Sequence, residues 1–524
     1  MSEKVEILDT TLRDGSQMAG VSFTLKDKLE ITKKLDEIGI DLIEGGWPSS
    51  NPKDLEFFKE VKKLNLENSK IAAFGSTKKK GEGIDKNLDM LLQADTEYIV
   101  IFGKSWLLHV KEVLKVSPDE NLSLIGESID YLISNGRKVI YDAEHFFDGY
   151  RDDPEYAIKT LKTAEEAGAR VITLADTNGG TLPFEIEKIV TEVRKNVNAV
   201  LGIHAHNDSG NAVANSLIAV YAGVRHVQGT MNGLGERCGN ADLIQVIPSL
   251  AIKMNKKVLK GADELRKLKG ISVYIYSILN MQPNPYQPYV GRYAFTHKGG
   301  VHIDAMIKNP RTYEHIDPEL VGNERSFLVS EQAGRASILN YAEELGLKLS
   351  KEHPAVITTL NKVKEIEKYG SIEGADATVK LWLLKNLGIY NDKFNILYWM
   401  ANSREVNGKM EAEGEIIVRV KDEVYYERET GVGPVHALDK ALKKALVKVF
   451  PQLSEVVLEN YKVTVTEGDK KGTASYVRVL IQFTDGKSAW TTAHVSDNIL
   501  VASLQALSDG YSYKLALNES RNLL

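Results

Sequence analysis

From Val5 to about Met254 one unit recurs along the chain: a short run of apolar and β-branched residues, then a stretch whose apolar positions return at helical spacing. The runs that read as strands are Glu6–Leu8, Leu42–Glu44, Lys70–Phe74, Tyr98–Gly103, Lys138–Ala143, Arg170–Leu174, Val200–Ala205 and His226–Gln228. Helical patterns between them include Lys26–Ile38, Pro52–Leu64, Pro154–Ala167, Leu182–Asn196 and Ala212–Ala222, with Gly39, Gly168 and Gly223 placed as stop signals. Eight strands alternating with helices predict an α/β fold, a closed parallel (β/α)8 TIM barrel. An open doubly wound sheet is the alternative, but no Gly-x-Gly-x-x-Gly turn follows the first strand.

The pattern changes after the barrel. Pro283-Asn-Pro-Tyr-Gln-Pro-Tyr289 reads as an arm of restricted backbone, followed by Phe295-Thr-His-Lys-Gly-Gly-Val-His-Ile-Asp304 and further helical stretches. The tail repeats strands and a helix. Strands Gly414–Val420 and Val424–Arg428 precede helix Pro434–Val449; strands Lys462–Glu467, Ser475–Phe483 and Ala489–His494 precede helix Asn498–Leu507. The expected division is a catalytic barrel over 1–258, a helical linker region over 259–391 and a C-terminal α+β regulatory domain over 392–524.

Composition narrows the class. A length of 524 residues exceeds one hydrophobic core, and 43% hydrophobic with 26% charged residues is that of a globular protein. A net charge of −6 gives no general attraction to nucleic acid or anionic membrane. The single cysteine, Cys238, forms no intramolecular disulfide, and Met-Ser-Glu-Lys-Val-Glu lacks the apolar run of a signal peptide. No stretch has the ~18 apolar residues of a membrane span. A cytoplasmic protein is expected.

The polar clusters all follow strands: Asp9-Thr-Thr-Leu-Arg-Asp-Gly-Ser-Gln17, Glu44-Gly-Gly-Trp-Pro48, Asp142-Ala-Glu-His145, Asp176-Thr-Asn178, His204-Ala-His206 and Gly233-Leu-Gly-Glu-Arg-Cys-Gly-Asn240. In a barrel those loops meet at one mouth. His204 and His206, two apart on a strand, face the same way, and imidazoles followed by Asn207 and Asp208 suit a divalent cation. Two core histidines satisfied by carbonyls are the bland alternative. Asp14 and Asn240 can complete the ligand set, or be turn residues in Asp-Gly and after Gly239. Two imidazoles with oxygen ligands leave positions open for substrate. Arg13 can polarise a ketone oxygen or clamp a carboxylate, with Glu44 holding it. Glu144 and Asp142 share a face and can move protons, or form a structural salt bridge. Thr177 can donate to a substrate carboxylate or cap the next helix beside Asp176. Nothing beside Cys238 activates it. The residues by themselves predict a divalent metal that chelates a small 2-oxo acid, with arginine activating the ketone.

These motifs resemble the signatures of the Claisen-condensing acyltransferases, the family of 2-isopropylmalate, homocitrate and citramalate synthases. The resemblance rests on Asp9–Gln17, His204-Ala-His206-Asn-Asp208 and Gly235-Glu-Arg-Cys-Gly-Asn240. It extends through Gln287-Pro-Tyr-Val-Gly-Arg-Tyr-Ala-Phe-Thr-His-Lys-Gly-Gly-Val-His302 to Gly431-Val-Gly-Pro-Val-His-Ala-Leu438, which is similar to the family's allosteric domain. Glu44-Gly-Gly-Trp-Pro-Ser-Ser-Asn-Pro52 and Asp142-Ala-Glu-His-Phe-Phe-Asp-Gly-Tyr150 look most like the branch that joins acetyl-CoA to pyruvate for isoleucine synthesis. The resemblance implies a divalent metal (Mg, Mn or Zn) held by Asp14, His204, His206 and Asn240. It implies Arg13 at the ketone, Thr177 at the pyruvate carboxylate and Glu144 at the reacting centre. It further implies that His302, with Asp304 and Tyr313 nearby, reaches in from the partner subunit of a homodimer. Arg13, Glu144, His302 and Tyr313 are thus the expected catalytic residues; Arg13, Asp142, Thr177 and Asp304 are expected to bind substrate. One departure is Asp142-Ala-Glu144 where some members of that branch carry Tyr-x-Glu, a change that falls on the 2-oxo acid pocket. The implied effector is isoleucine, at the Gly431–Pro434 turn and the segment Thr491–Asn498. A 2-oxoisovalerate-using relative, a metal-dependent lyase or aldolase, and a non-catalytic amino-acid sensor are the competing readings.

Overall fold

The computed structural model describes residues 3–81, 85–327, 335–369, 372, 374–466 and 475–523. Two compact units divide it, one over 1–295 with 316–324 and one over 296–315 with 325–524.

The first unit is the expected barrel. Its strands are β1 (Glu6–Asp9), β2 (Leu42–Gly46), β3 (Lys70–Ser76), β4 (Tyr98–Lys104), β5 (Lys138–Glu144), β6 (Val171–Asp176), β7 (Val200–Ala205) and β8 (His226–Gly229). All pair in parallel in sequence order, and β1 closes on β8 with Ile7 opposite Val227. Both faces are buried, which is why the strands read as near-continuous apolar runs. Leu8, Leu42, Phe74, Val100, Ile140 and Val171 fill the lumen, while Ile7, Ile43, Ile99, Ile101, Ile172 and Val227 pack outward in the main core with the helices.

Local chemistry sets the helix starts. Thr24 and Asp27 form a capping box ahead of Leu25–Ile38, and Gly39 ends that helix at φ 81°. Asn51 caps Pro52–Val61, and Asp153 caps Pro154–Glu166. Such a cap is worth ~1 kcal/mol. Two further helices, Lys86–Ala94 capped by Asp85 and Pro118–Ser134 capped by Ser117, follow the same rule. No helix among the described residues is long and apolar enough to cross a membrane.

In the second unit, helices Arg335–Glu344, Pro354–Glu367 and Asp376–Asn386 share one hydrophobic core with the sheets that follow, so Leu383 and Leu442 belong to the same cluster. That core crosses the expected division at Asn391. Two three-stranded antiparallel sheets each carry a helix. The first is Phe394–Val406, Lys409–Val420 and Glu423–Gly431 with helix Pro434–Val447; the second is Val457–Val465, Val477–Thr484 and Ala489–Ser496 with helix Ile499–Leu523. The first sheet therefore has one strand more than the sequence reading expects. Its Asn407-Gly408 turn, both residues at positive φ, is the hairpin signal that marks it. The last helix runs well past the expected Leu507 because Gly510 does not break it: a Cβ there would lie 2.2 Å from the Phe483 ring, so glycine serves close packing. Glu467, the expected end of one strand, lies outside the described residues.

Candidate active site

The loop after β1 is built by its own polar residues. The buried Asp9 carboxylate accepts from the Thr11 amide at 2.9 Å and its hydroxyl at 3.0 Å. Thr11 Oγ1 in turn accepts from the Met231 amide at 2.8 Å, which ties this loop to the one after β8. The backbone amides of Arg13, Asp14 and Gly15 all donate to the Thr10 carbonyl, so the turn presents Arg13 and Asp14 together.

Arg13 Nε donates to Glu44 Oε2 at 2.6 Å, its Nη1 lies 3.4 Å from Asp14 Oδ2, and its guanidinium sits 3.7 Å over the Phe74 ring. Burial works against the ionised form of Asp14, but Arg13 and His204 outweigh it and hold the carboxyl far below the usual range. His204 and His206 project from the end of β7 with their Nε2 atoms 3.3 Å apart, and His204 Nε2 lies 3.2 Å from Asp14 Oδ2. Burial, then the neighbouring His204, pushes His206 down to about 3, which keeps that ring neutral near pH 7. Burial pulls His204 down as well, yet Asp14 reverses the sign and leaves it raised.

Asp14, His204 and His206 offer ligand atoms that all lie within 4.8 Å of one another. Asn240 is joined to His206 by a backbone bridge, and neither of its buried side-chain atoms has a hydrogen-bond partner. The same is true of Asp14 Oδ2 and His206 Nδ1. Its loop needs glycine at 239, where φ is +86° and a Cβ would lie 1.9 Å from the Gly233 carbonyl. Buried polar atoms left without partners on a carboxylate, an imidazole and an amide, beside a second imidazole, fit a divalent cation.

A cavity of about 240 Å³ opens beside these groups, lined by Arg13, Glu144, Asp142, Thr177, Arg237 and three aromatic rings. Trp47 stands edge-on to Phe74 and Phe102, with centroids at 5.6 and 5.7 Å, and those two rings stack at 5.5 Å. Asn87 holds Trp47 by accepting from its Nε1 at 2.9 Å. Glu144 is ion-paired with Lys104. Thr177 Oγ1 accepts from the His145 amide at 2.9 Å, so its own hydroxyl hydrogen is free for the cavity. Asp176 accepts from Thr181, and Thr177 has no part in capping. Asp142, raised by burial, accepts from Gln228. Arg237 makes a two-pronged pair with Asp208 at 2.8 Å and donates to the Thr177 carbonyl, knitting three loops together.

The structure thus gathers Arg13, Asp14, Asp142, Glu144, Thr177, His204 and His206 around one cavity. His302 and Tyr313 belong to the second unit, where their rings stack at 4.1 Å, and Asp304 pairs there with Lys308 and Lys351. Cys238 is exposed. No role at the site is expected of Gln228, Lys104, Arg237, Phe74 or Phe102 from the sequence. The inward face of each strand, read at period two, is the signal that reaches Gln228 from His226 and Phe74 from Ala72.

Residues 4–272 match the HMGL-like family, residues 289–370 the homocitrate synthase post-HMGL domain-like family, and residues 373–515 the LeuA allosteric (dimerisation) domain. The chain is 52% identical to the (R)-citramalate synthase of Sulfolobus acidocaldarius, covering 98% of this chain and 97% of that one. It is 50% identical to the (R)-citramalate synthase of Geobacter sulfurreducens, covering 98% of each. It is also similar, at 32% identity over 99% of this chain and 96% of the other, to a 2-isopropylmalate synthase of Methanocaldococcus jannaschii.

Proposed function

The chain belongs to the (R)-citramalate synthase family of HMGL-like barrel acyltransferases, and from that premise we propose that it condenses acetyl-CoA with pyruvate to give (R)-citramalate and CoA. The observation that carries the reading is a small cavity in which Arg13, Thr177 and Glu144 meet the Asp14–His204–His206 cluster under an aromatic wall.

Asp14, His204, His206 and Asn240 would hold a divalent cation (Mg, Mn or Zn), which supplies Lewis acidity to the oxygens of the 2-oxo acid. Arg13, anchored by Glu44 through one edge, directs the rest of its fork at the ketone oxygen and stabilises the negative charge that grows there. Thr177 donates to the pyruvate carboxylate. Asp142, at the cavity wall, limits the depth of the pocket. Trp47, Phe74 and Phe102 accept the methyl group and leave little room for a branched chain. The methyl carbon of acetyl-CoA loses a proton to a base, and the new carbon–carbon bond forms as the ketone π pair moves to oxygen. A proton then neutralises that oxygen, and water cleaves the thioester to release CoA.

Glu144, steadied by Lys104, stands on the cavity side of that proton transfer. His302 and Tyr313, with Asp304 on the same short helix as His302, serve the site of the partner subunit in a homodimer. The match to a dimerisation domain supports that assembly. The functional division remains a barrel over 1–258, a region over 259–391 that supplies His302, and a regulatory tail over 392–524.

For the tail, the ligand we propose is isoleucine, the end product of the pathway that citramalate enters. A cavity of about 1060 Å³ supports it, walled by Val432, Val435, Val447, Val457 and Tyr461 and rimmed by Asp439 and Lys440. Its apolar wall suits a branched side chain and its charged rim a zwitterion. Val432 belongs to the expected Gly431–Pro434 turn, whereas Thr491–Asn498 does not line this cavity. A single exposed cysteine supports a reducing, cytoplasmic setting.

The test is release of free thiol from acetyl-CoA across a panel of 2-oxo acids, with the product identified. Faster turnover of 2-oxoisovalerate than of pyruvate would overturn the assignment.

A further inference from the structure

We propose that Gln228 is a positioning residue that makes His204 a metal ligand, and that Asp142 orients Gln228 for this; the proposal rests on the metal reading of the Asp14–His204–His206 cluster. Gln228 lies on β8 directly across the ladder from His204 on β7, so both side chains enter the lumen at one level. Each is buried, and a buried amide must place all its polar atoms.

Gln228 Nε2 donates to Asp142 Oδ1 at 2.8 Å and to Thr173 Oγ1 at 3.0 Å. With Asp142 ionised its carboxylate only accepts, and it then decides which end of the amide is NH2; the network assigns the orientation. The carbonyl end then faces His204 Nδ1 at 2.9 Å. A carbonyl oxygen cannot donate, so Nδ1 must carry the ring proton. That leaves a lone pair on Nε2, the atom that faces Asp14 Oδ2 and His206 Nε2. Turning the amide over would fail twice: its oxygen would meet the Asp142 carboxylate, and its NH2 would force the proton onto Nε2.

Gly202 keeps the relay open. It lies two residues before His204 on the same face of β7, and a Cβ there would stand 2.8 Å from Thr173 Oγ1, the hydroxyl that accepts the second Gln228 hydrogen.

The experiment is calorimetric titration of Mn²⁺ into the full-length protein after chelator treatment. Gln228→Met keeps length but removes both polar ends, and should weaken Mn²⁺ binding about 10–100-fold, the usual effect of losing a group that orients a ligand. Exchanging the pair, Gln228→Glu with Asp142→Asn, puts an acid against Nδ1 and an amide behind it; this variant should bind within a few-fold of the parent. Melting of the metal-free proteins reads any structural effect separately, and such an effect would not be restored in the exchanged pair. His204→Ala serves as the reference for loss of the site. Parent-like affinity in Gln228→Met, with binding lost in His204→Ala, would overturn the relay. Should Gln228→Met not fold, the exchanged pair decides, and binding weakened tenfold or more there would likewise overturn it. Undiminished binding in His204→Ala would instead remove the metal reading on which the proposal stands.

Discussion

Arg13 and Glu44 form a buried pair in which Nε of the arginine donates to Oε2 of the glutamate at 2.6 Å. Phe74 lies against one face of the same guanidinium, so the group is fixed in plane as well as in place. A lysine ammonium keeps the charge but cannot use one edge for Glu44 and another for a ketone oxygen. Arg13→Lys should lower kcat about 10²–10³-fold, the usual loss for one preorganised donor at a developing oxyanion. Steady-state kinetics check this, and a near-normal kcat would make the arginine structural.

Metal binding should be coupled to protons. His206 is already neutral at pH 7, being held down to about 3, whereas Asp14 raises His204 above its ordinary value and so favours a competing proton. A ligand must be unprotonated, so Mn²⁺ affinity should fall as pH drops through the His204 titration, with a proton released on binding below it. Titrations in two buffers of different ionisation heat measure that proton. His204→Ala should lose metal and turnover while circular dichroism stays that of a folded protein. Full turnover in a chelated, metal-free sample would refute the site.

The aromatic wall should set substrate size. Trp47 is pinned by Asn87, and it closes on Phe74 and Phe102 at the end of the cavity. Phe102→Ala or Trp47→Ala should shift the ratio of kcat/KM for 2-oxobutyrate or 2-oxoisovalerate over pyruvate upward by roughly 10–200-fold, the range for one methylene in an apolar pocket. An unchanged ratio in both variants would move the methyl pocket elsewhere.

His302 and Tyr313 stack on one another in the stretch that follows the proline-rich arm. If each pair serves the neighbouring subunit, Asp14→Ala and His302→Ala proteins, each inactive alone, should regain partial activity when mixed and allowed to exchange. Native mass spectrometry confirms the exchange. Exchange without recovered activity would place His302 in its own chain's site or outside the reaction.

Val435 lies on the apolar wall of the tail cavity, far in sequence from every barrel ligand. Val435→Glu should raise the isoleucine concentration needed for half-inhibition by roughly 5–150-fold, the span of a coupling energy of about 1–3 kcal/mol, and leave the uninhibited rate near that of the parent. Unaltered inhibition would exclude this cavity as the effector site.

The alternation of strand and helix patterns determined the barrel, because apolar strands buried on both faces and capped helices announce themselves locally. Polar clusters directly after strands also determined where chemistry sits, since parallel closure brings all such loops to one mouth. Asp14, Arg13, His204 and His206 were legible for that reason. The first strand of the first tail sheet, Phe394–Val406, was signalled only by Asn407-Gly408, and the continuation of the last helix past Gly510 depends on the Phe483 ring that packs there. Gln228 is the clearest case of what tertiary structure alone decided. It lies 24 residues from His204 and 86 from Asp142, and nothing in the order of residues states that strand register brings the three together. A glutamine amide carries a donor and an acceptor at nearly equivalent positions, so only its packed neighbours choose which one meets the imidazole.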